Sequence, residues 1–133
     1  MLILNEELWI SDRIIKMYCS KKWKNNDETY ILSISVMNRL KNLLIESYKK
    51  KCIILFDFNE GETPPMNTMF SFLSFMISIK EQLENGLLYT IVYTTSLIYK
   101  SWVENILNFY KPIKPIYIVS EKNDIKKYLL NKF

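Results

Sequence analysis

Seven consecutive residues constrain this chain more than any others: Cys52-Ile53-Ile54-Leu55-Phe56-Asp57-Phe58, set between Lys49-Lys50-Lys51 and Asn59-Glu60-Gly61. A run so short and so nearly continuous in apolar residues has no polar face to give to water. It suits a strand buried on both sides, as the central strands of a parallel sheet are. The turn Asn59-Glu60-Gly61-Glu62-Thr63-Pro64-Pro65 follows. A helix is predicted from about Pro65 to Leu83. Proline stands at its start, where a missing N–H costs nothing, and Asn85-Gly86 is expected to end it as a left-handed cap.

The same alternation continues. Leu88 to Thr94 is rich in β-branched and aromatic residues and reads as the next strand. Ser96 caps a helix to about Tyr110 whose apolar side is Ile98, Trp102, Ile106 and Phe109. Lys111-Pro112 breaks it. Pro115 to Val119 is a further strand, and Ser120 opens a last helix that buries Ile125, Tyr128 and Leu129. Strands alternating with helices of this length predict β-α-β-α-β-α with a mostly parallel sheet of four to five strands. The crossovers are right-handed, and the connecting coils sandwich the sheet.

The first half is less periodic. Leu8-Trp9-Ile10 and Ile14 to Tyr18 suit an N-terminal hairpin around Ser11-Asp12-Arg13. From Asp27 to Lys50 two readings stand. Tyr30, Leu32, Ile34 and Val36 alternate with polar residues, as a half-buried strand would. Alternatively Asn26 caps a helix from about Asp27, continued at helical spacing by Val36, Leu40, Leu44 and Tyr48. The helix is the preferred reading.

At 133 residues, 49% of them hydrophobic, the chain fits one α/β domain spanning 1–133. Its net charge of +4 rests almost wholly on lysine, which suits solubility; with only Arg13 and Arg39, nucleic acid is not an expected partner. The two cysteines are too few for a disulfide framework, so reduced thiols and a cytoplasmic setting are expected. The N-terminal residues show no signal-peptide pattern. The apolar stretch from Met66 to Ile79 is interrupted by Asn67, Thr68, Ser71, Ser74 and Ser78 and is too short for a transmembrane segment.

Missing residue types exclude whole chemistries. Without histidine there is no Ser-His-Asp or Cys-His catalysis and no Cys/His zinc site. With only Gly61 and Gly86, neither a Walker loop nor a dinucleotide-binding turn is available, since both need clustered glycines. No catalytic residue, metal or cofactor is therefore assigned, and the chain is not expected to be an enzyme.

CIILFDFNE, the apolar helix, LLYTIVYTTSLIYKSWVENILNFY and PIYIVSEKNDIKKYLL together resemble the SpoIIAA-like fold, shared by STAS domains and the core of CRAL-TRIO lipid-transfer domains. The resemblance covers roughly residues 50–133 and is one of pattern, without a diagnostic motif. It implies a regulatory or protein-interaction module. Anti-sigma antagonists of that family carry a phosphorylated serine in Asp-Ser or Ser-Ser-Gly at the start of the helix. Here the matching stretch is Pro64-Pro65-Met66-Asn67-Thr68, which leaves Thr68 as the nearest phosphosite and lacks the glycine. A full CRAL-TRIO protein is longer and has an added helical lobe, so the alternative that the resemblance implies is a small apolar-ligand or lipid-binding domain of reduced CRAL-TRIO type.

Three constellations remain. The helix 65–83 is apolar on two stripes: Met66, Phe70, Leu73 and Ile77 on one, Met69, Phe72, Met76 and Ile79 on the other. A helix on a sheet needs one apolar face. The second stripe packs either within the domain or against a protein partner, a second copy or a lipid. Met66, Met69, Phe72, Phe75, Met76 and Ile79 are the candidate partner-binding residues. Asp57, Glu60 and Glu62 form an acidic turn at the carboxyl end of the central strand, where α/β sheets bind ligands. As a site it would be a magnesium or receiver-like phosphoacceptor site. A receiver, however, needs an acidic pair after its first strand and a Lys-Pro that ends a strand, whereas Lys111-Pro112 precedes one. Lys21-Lys22-Trp23-Lys24 suits a surface loop whose tryptophan turns inward, or a contact with a base or membrane surface.

Overall fold

The computed structural model describes residues 2–9, 12–19, 27–61 and 73–130. Five strands form one sheet in sequential order: β1 (Leu2–Trp9), β2 (Asp12–Cys19), β3 (Cys52–Gly61), β4 (Leu87–Tyr93) and β5 (Ile116–Val119). β1 and β2 are antiparallel, and β2 through β5 run parallel. The mostly parallel sheet and N-terminal hairpin are thus present. β1 is longer than its sequence suggested, because Leu2–Trp9 pairs along its full length with Asp12–Cys19.

Helix α1 (Asp27–Glu46) joins β2 to β3, so the strand reading of Tyr30 to Val36 is set aside. α1 stops at Glu46 and not at Lys50. A turn there is tied by Ser47, whose fully buried hydroxyl donates to Leu43 O at 2.7 Å. Helical turns at 73–78 lead, past an irregularity at Ile79, into α2 (Lys80–Gly86). Backbone bonds from Ile79 N to Phe75 O and from Leu83 N to Ile79 O carry the ladder across it. α3 (Leu97–Phe109) joins β4 to β5, and α4 (Lys122–Leu130) follows β5.

The sheet separates two cores. On one face Ile15, Met17, Ile54, Phe56 and Val92 pack with Leu40 and Leu44 of α1, Ile79, Leu83 of α2 and Val103 of α3. On the other, Ile14, Ile53, Leu55, Ile91 and Val119 pack with Ile125 and Leu129 of α4. Among the described residues the connecting helices therefore do not sandwich the sheet: α1, α2 and α3 all lie on one face. The topology explains this. Each parallel crossover steps one strand further in the same direction, and right-handed connections that keep advancing return to the same side. Only α4, which connects to no further strand, occupies the other side. β3 sits in the middle with Cys52, Ile53 and Ile54 all fully buried, as its unbroken apolar run required.

Gly86 has a different role from the one its position suggested. It lies within the last turn of α2, with Leu87 as the extended cap residue. A Cβ on Gly86 would meet the Leu44 carbonyl oxygen and would stand 3.0 Å from its carbon and 3.2 Å from its Cα. Glycine is needed here for the close approach of α2 to α1, not for a left-handed turn.

Candidate functional site

The helix before β4 was the main candidate from sequence, and its described part divides clearly. Phe75 and Met76 are half-buried against the first core, and Ile79 is only 1% exposed within it. Ile79 is therefore a core residue and not part of an open surface. Ile77 is 51% exposed, flanked by exposed Ser74 and Ser78. Ser78 turns its hydroxyl back to donate to Phe75 O at 2.6 Å. Among the described residues the inner face of this helix is thus satisfied by the domain's own core, and Ile77 is the apolar position left outside. Met66, Thr68, Met69 and Phe72 lie outside the described residues, as do Glu62 and the Lys21-Lys22-Trp23-Lys24 tetrad.

Asp57 sits near the carboxyl end of β3, paired in register with Tyr93. Its carboxylate lies 3.9 Å from the Lys16 ammonium, and the two side chains are 14% and 20% exposed. Lys16 also stands over the ring of Tyr18 at 5.5 Å. Glu60 lies on β3, with its side chain outside the described set. Among the described residues no three His, Cys, Asp or Glu side chains converge as metal ligands would. The sheet gives Asp57 a lysine neighbour from β2, which sequence reading had not linked to it.

The same sheet edge carries a feature that sequence reading misplaced. Thr94, buried, accepts a hydrogen bond on Oγ1 from Ser96 N, and Ser96 Oγ accepts from Tyr99 N as the N-cap of α3. The Tyr99 ring packs 5.5 Å from Phe58. This firm start holds Leu97 and Ile98 outward, 79% and 81% exposed. Ile98, which helical spacing assigns to the buried stripe, thus faces solvent. The stripe that faces the core is instead Tyr99, Trp102, Val103 and Leu107, about one position around the helix. An open groove of about 530 Å³ lies between β5 and α4, lined by Val119, Ser120, Glu121, Asp124, Lys127 and Tyr128. Two of its charged groups, Lys127 and Asp124, pair at 3.5 Å. Among the described residues no helix is long and apolar enough to cross a membrane.

These features define an α/β protein with a parallel sheet wound steadily in one direction and isolated apolar positions presented outward from its helices. Comparisons with protein families, with characterised proteins and with solved structures find no match to this chain.

Proposed function

We propose that this chain is a non-enzymatic, STAS-like interaction or regulatory module that acts through the helix 65–83. The observation that carries the reading is Ile77. The neighbouring inward positions Phe75, Met76 and Ile79 already serve the domain's own core, yet an isoleucine stands outside on the same helix. About half of that side chain faces solvent, where a partner can reach it. The element order supports the family reading, since an N-terminal strand precedes a repeated strand–helix alternation that ends in a helix after β5. The absence of histidine and of clustered glycines supports the non-enzymatic part.

The test is a photo-crosslinking amino acid placed at Ile77, with Glu84, exposed further along α2, as the control position. A discrete adduct formed in host-cell extract from position 77 and absent from position 84 is the expected result. No adduct from 77, or equal labelling from both, would remove the helix as the acting surface. Native mass spectrometry of the same preparation tests the lipid-carrier alternative, which requires a co-purified apolar ligand.

A further inference from the structure

The parallel sheet gathers lysines that the sequence scatters. β2, β3, β4 and β5 all begin at the same edge. The stretch entering β3 carries Lys49, Lys50 and Lys51, and the link entering β5 carries Lys111 and Lys114. Lys49, Lys50 and Lys111 are exposed, and Lys51 and Lys114 half-exposed. With neighbouring strands ~4.8 Å apart, β3 and β5 stand about 10 Å from each other, so the two groups share one end of the molecule.

Both segments are held in place. Ser47 N donates to Leu44 O at 3.0 Å and Tyr48 N to Ile45 O at 3.3 Å, which fixes the chain as it leaves α1. Thr90 N donates to Pro115 O at 3.0 Å, which ties the second link to the sheet. Arg13, at the start of β2, is engaged within the domain: it lies 3.8 Å from the Glu46 carboxylate and donates to Ser47 Oγ at 3.3 Å. The lysines are not. Among the described residues no ion pair engages any of the five. Helix dipoles do not account for them either, since α1, α2 and α3 end at this edge with no basic residue in the last turn. Among the described residues the acidic ones at this edge are Asp12, Glu46 and Glu84, so the cations outnumber them two to one. The opposite edge mixes Glu121 and Asp124 with Lys100 and Lys122.

Apolar groups accompany the lysines. Ile45 is 44% exposed, and Tyr48, next to Lys49, is 38%. Cations beside a tyrosine and an isoleucine match the surface of an anionic bilayer. The ammonium groups meet the negative headgroups, and the two apolar side chains enter the layer between them. Nucleic acid is a poorer match. Base readout favours arginine, and the arginine here is engaged by Glu46 and Ser47; isoleucine offers no ring for a base to stack on. We infer that the edge at which β2 to β5 begin docks on the surface of an anionic membrane.

Cosedimentation of the full chain with phosphatidylcholine vesicles containing about one-third phosphatidylserine tests this. The expected result is binding at physiological salt that disappears at about 0.5 M salt and is absent from pure phosphatidylcholine vesicles. Lys49→Gln with Lys50→Gln weakens it about 25-fold, at about fivefold per lysine. Lys100→Gln with Lys122→Gln removes the same charge from the opposite edge and changes it by about twofold or less. Ile45→Ser with Tyr48→Ser weakens it several-fold and leaves its salt dependence unchanged. Lys49 and Lys50 are exposed, so the melting temperature of that variant stays at the wild-type value and reports that it is folded. No binding, equal binding to neutral vesicles, equal losses from the two lysine pairs, or tighter binding to a single-stranded oligonucleotide than to the vesicles would each overturn the assignment. Ile77 takes no part in this surface, so the vesicle result and the crosslinking result stand or fall independently.

Discussion

Replacing Gly86 with alanine sets two physical effects against each other. In the interior of a helix, Gly→Ala ordinarily stabilises by about 0.5–1 kcal/mol, because the unfolded chain loses freedom and the helix gains propensity. Here the new methyl meets the backbone of Leu44, with carbon neighbours at 3.0 and 3.2 Å and the carbonyl oxygen nearer still. The obstructing atoms belong to a helix and cannot rotate away as a side chain would, so α2 must move off α1. That loosens Ile79 and Leu83 in the core they share with Leu40 and Leu44. Overpacking of a filled interior costs about 1–3 kcal/mol. With a mid-range clash of about 2 kcal/mol, because the obstruction is backbone, and the propensity gain of about 0.5–1 kcal/mol subtracted, Gly86→Ala is expected to destabilise by about 1–1.5 kcal/mol and lower Tm by about 4–8 °C. Urea denaturation followed by circular dichroism measures the first quantity and a thermal scan the second. Asn85→Ala is the control. Asn85 is exposed and donates only to Glu81 O at 3.0 Å, so its loss is worth about 0.5 kcal/mol or less. A Gly86→Ala protein as stable as the wild type, or more so, would refute the close-approach argument and leave propensity in control.

Two further outcomes follow from charged and ionisable groups. Asp57→Ala removes the carboxylate 3.9 Å from the largely buried Lys16 ammonium and is expected to cost about 1–2 kcal/mol, whereas Lys16→Met combined with Asp57→Leu costs less than either single change; a double-mutant cycle in urea checks this. Burial raises the hydroxyl pKa of Tyr110. The folded chain thus keeps that proton at a pH where the unfolded chain has released it. The stabilising contribution is complete below the ordinary tyrosine value of about 10 and is lost as pH climbs above it. Tyr110→Phe should flatten the fall in urea midpoint between neutral and strongly alkaline solution, and an unchanged slope would count against the burial argument.

Much of the fold was legible because burial on both sides of a strand leaves a direct mark on composition. Cys52 to Phe58 could hardly be anything but a central strand, and Tyr117 and Val119 lie on the short strand expected for them. The C-terminal helix buries Ile125 and Leu129 as its spacing implied. Boundaries were less visible, because a helix end is set by local hydrogen bonds such as that of Ser47, which no periodicity reveals. The rotation of α3 escaped notice because Leu97, Ile98, Ile106 and Leu107 allow two overlapping apolar stripes, and only packing of Trp102 and Val103 decides between them. The pairing of Asp57 with Lys16 was invisible in principle. It joins residues far apart in the chain that become neighbours only through the β2–β3 register.

The one-sided placement of the connecting segments has a consequence for how the protein is made. As the chain emerges during synthesis, each completed crossover can cover the first core at once, from α1 onward. The opposite surface, with Ile14, Ile53, Leu55 and Ile91, stays bare until α4 has been produced. A nascent or truncated chain lacking those nine residues would present a broad oily sheet to its surroundings, and its survival in a cell would rest on chaperones binding that surface before another unfinished chain does.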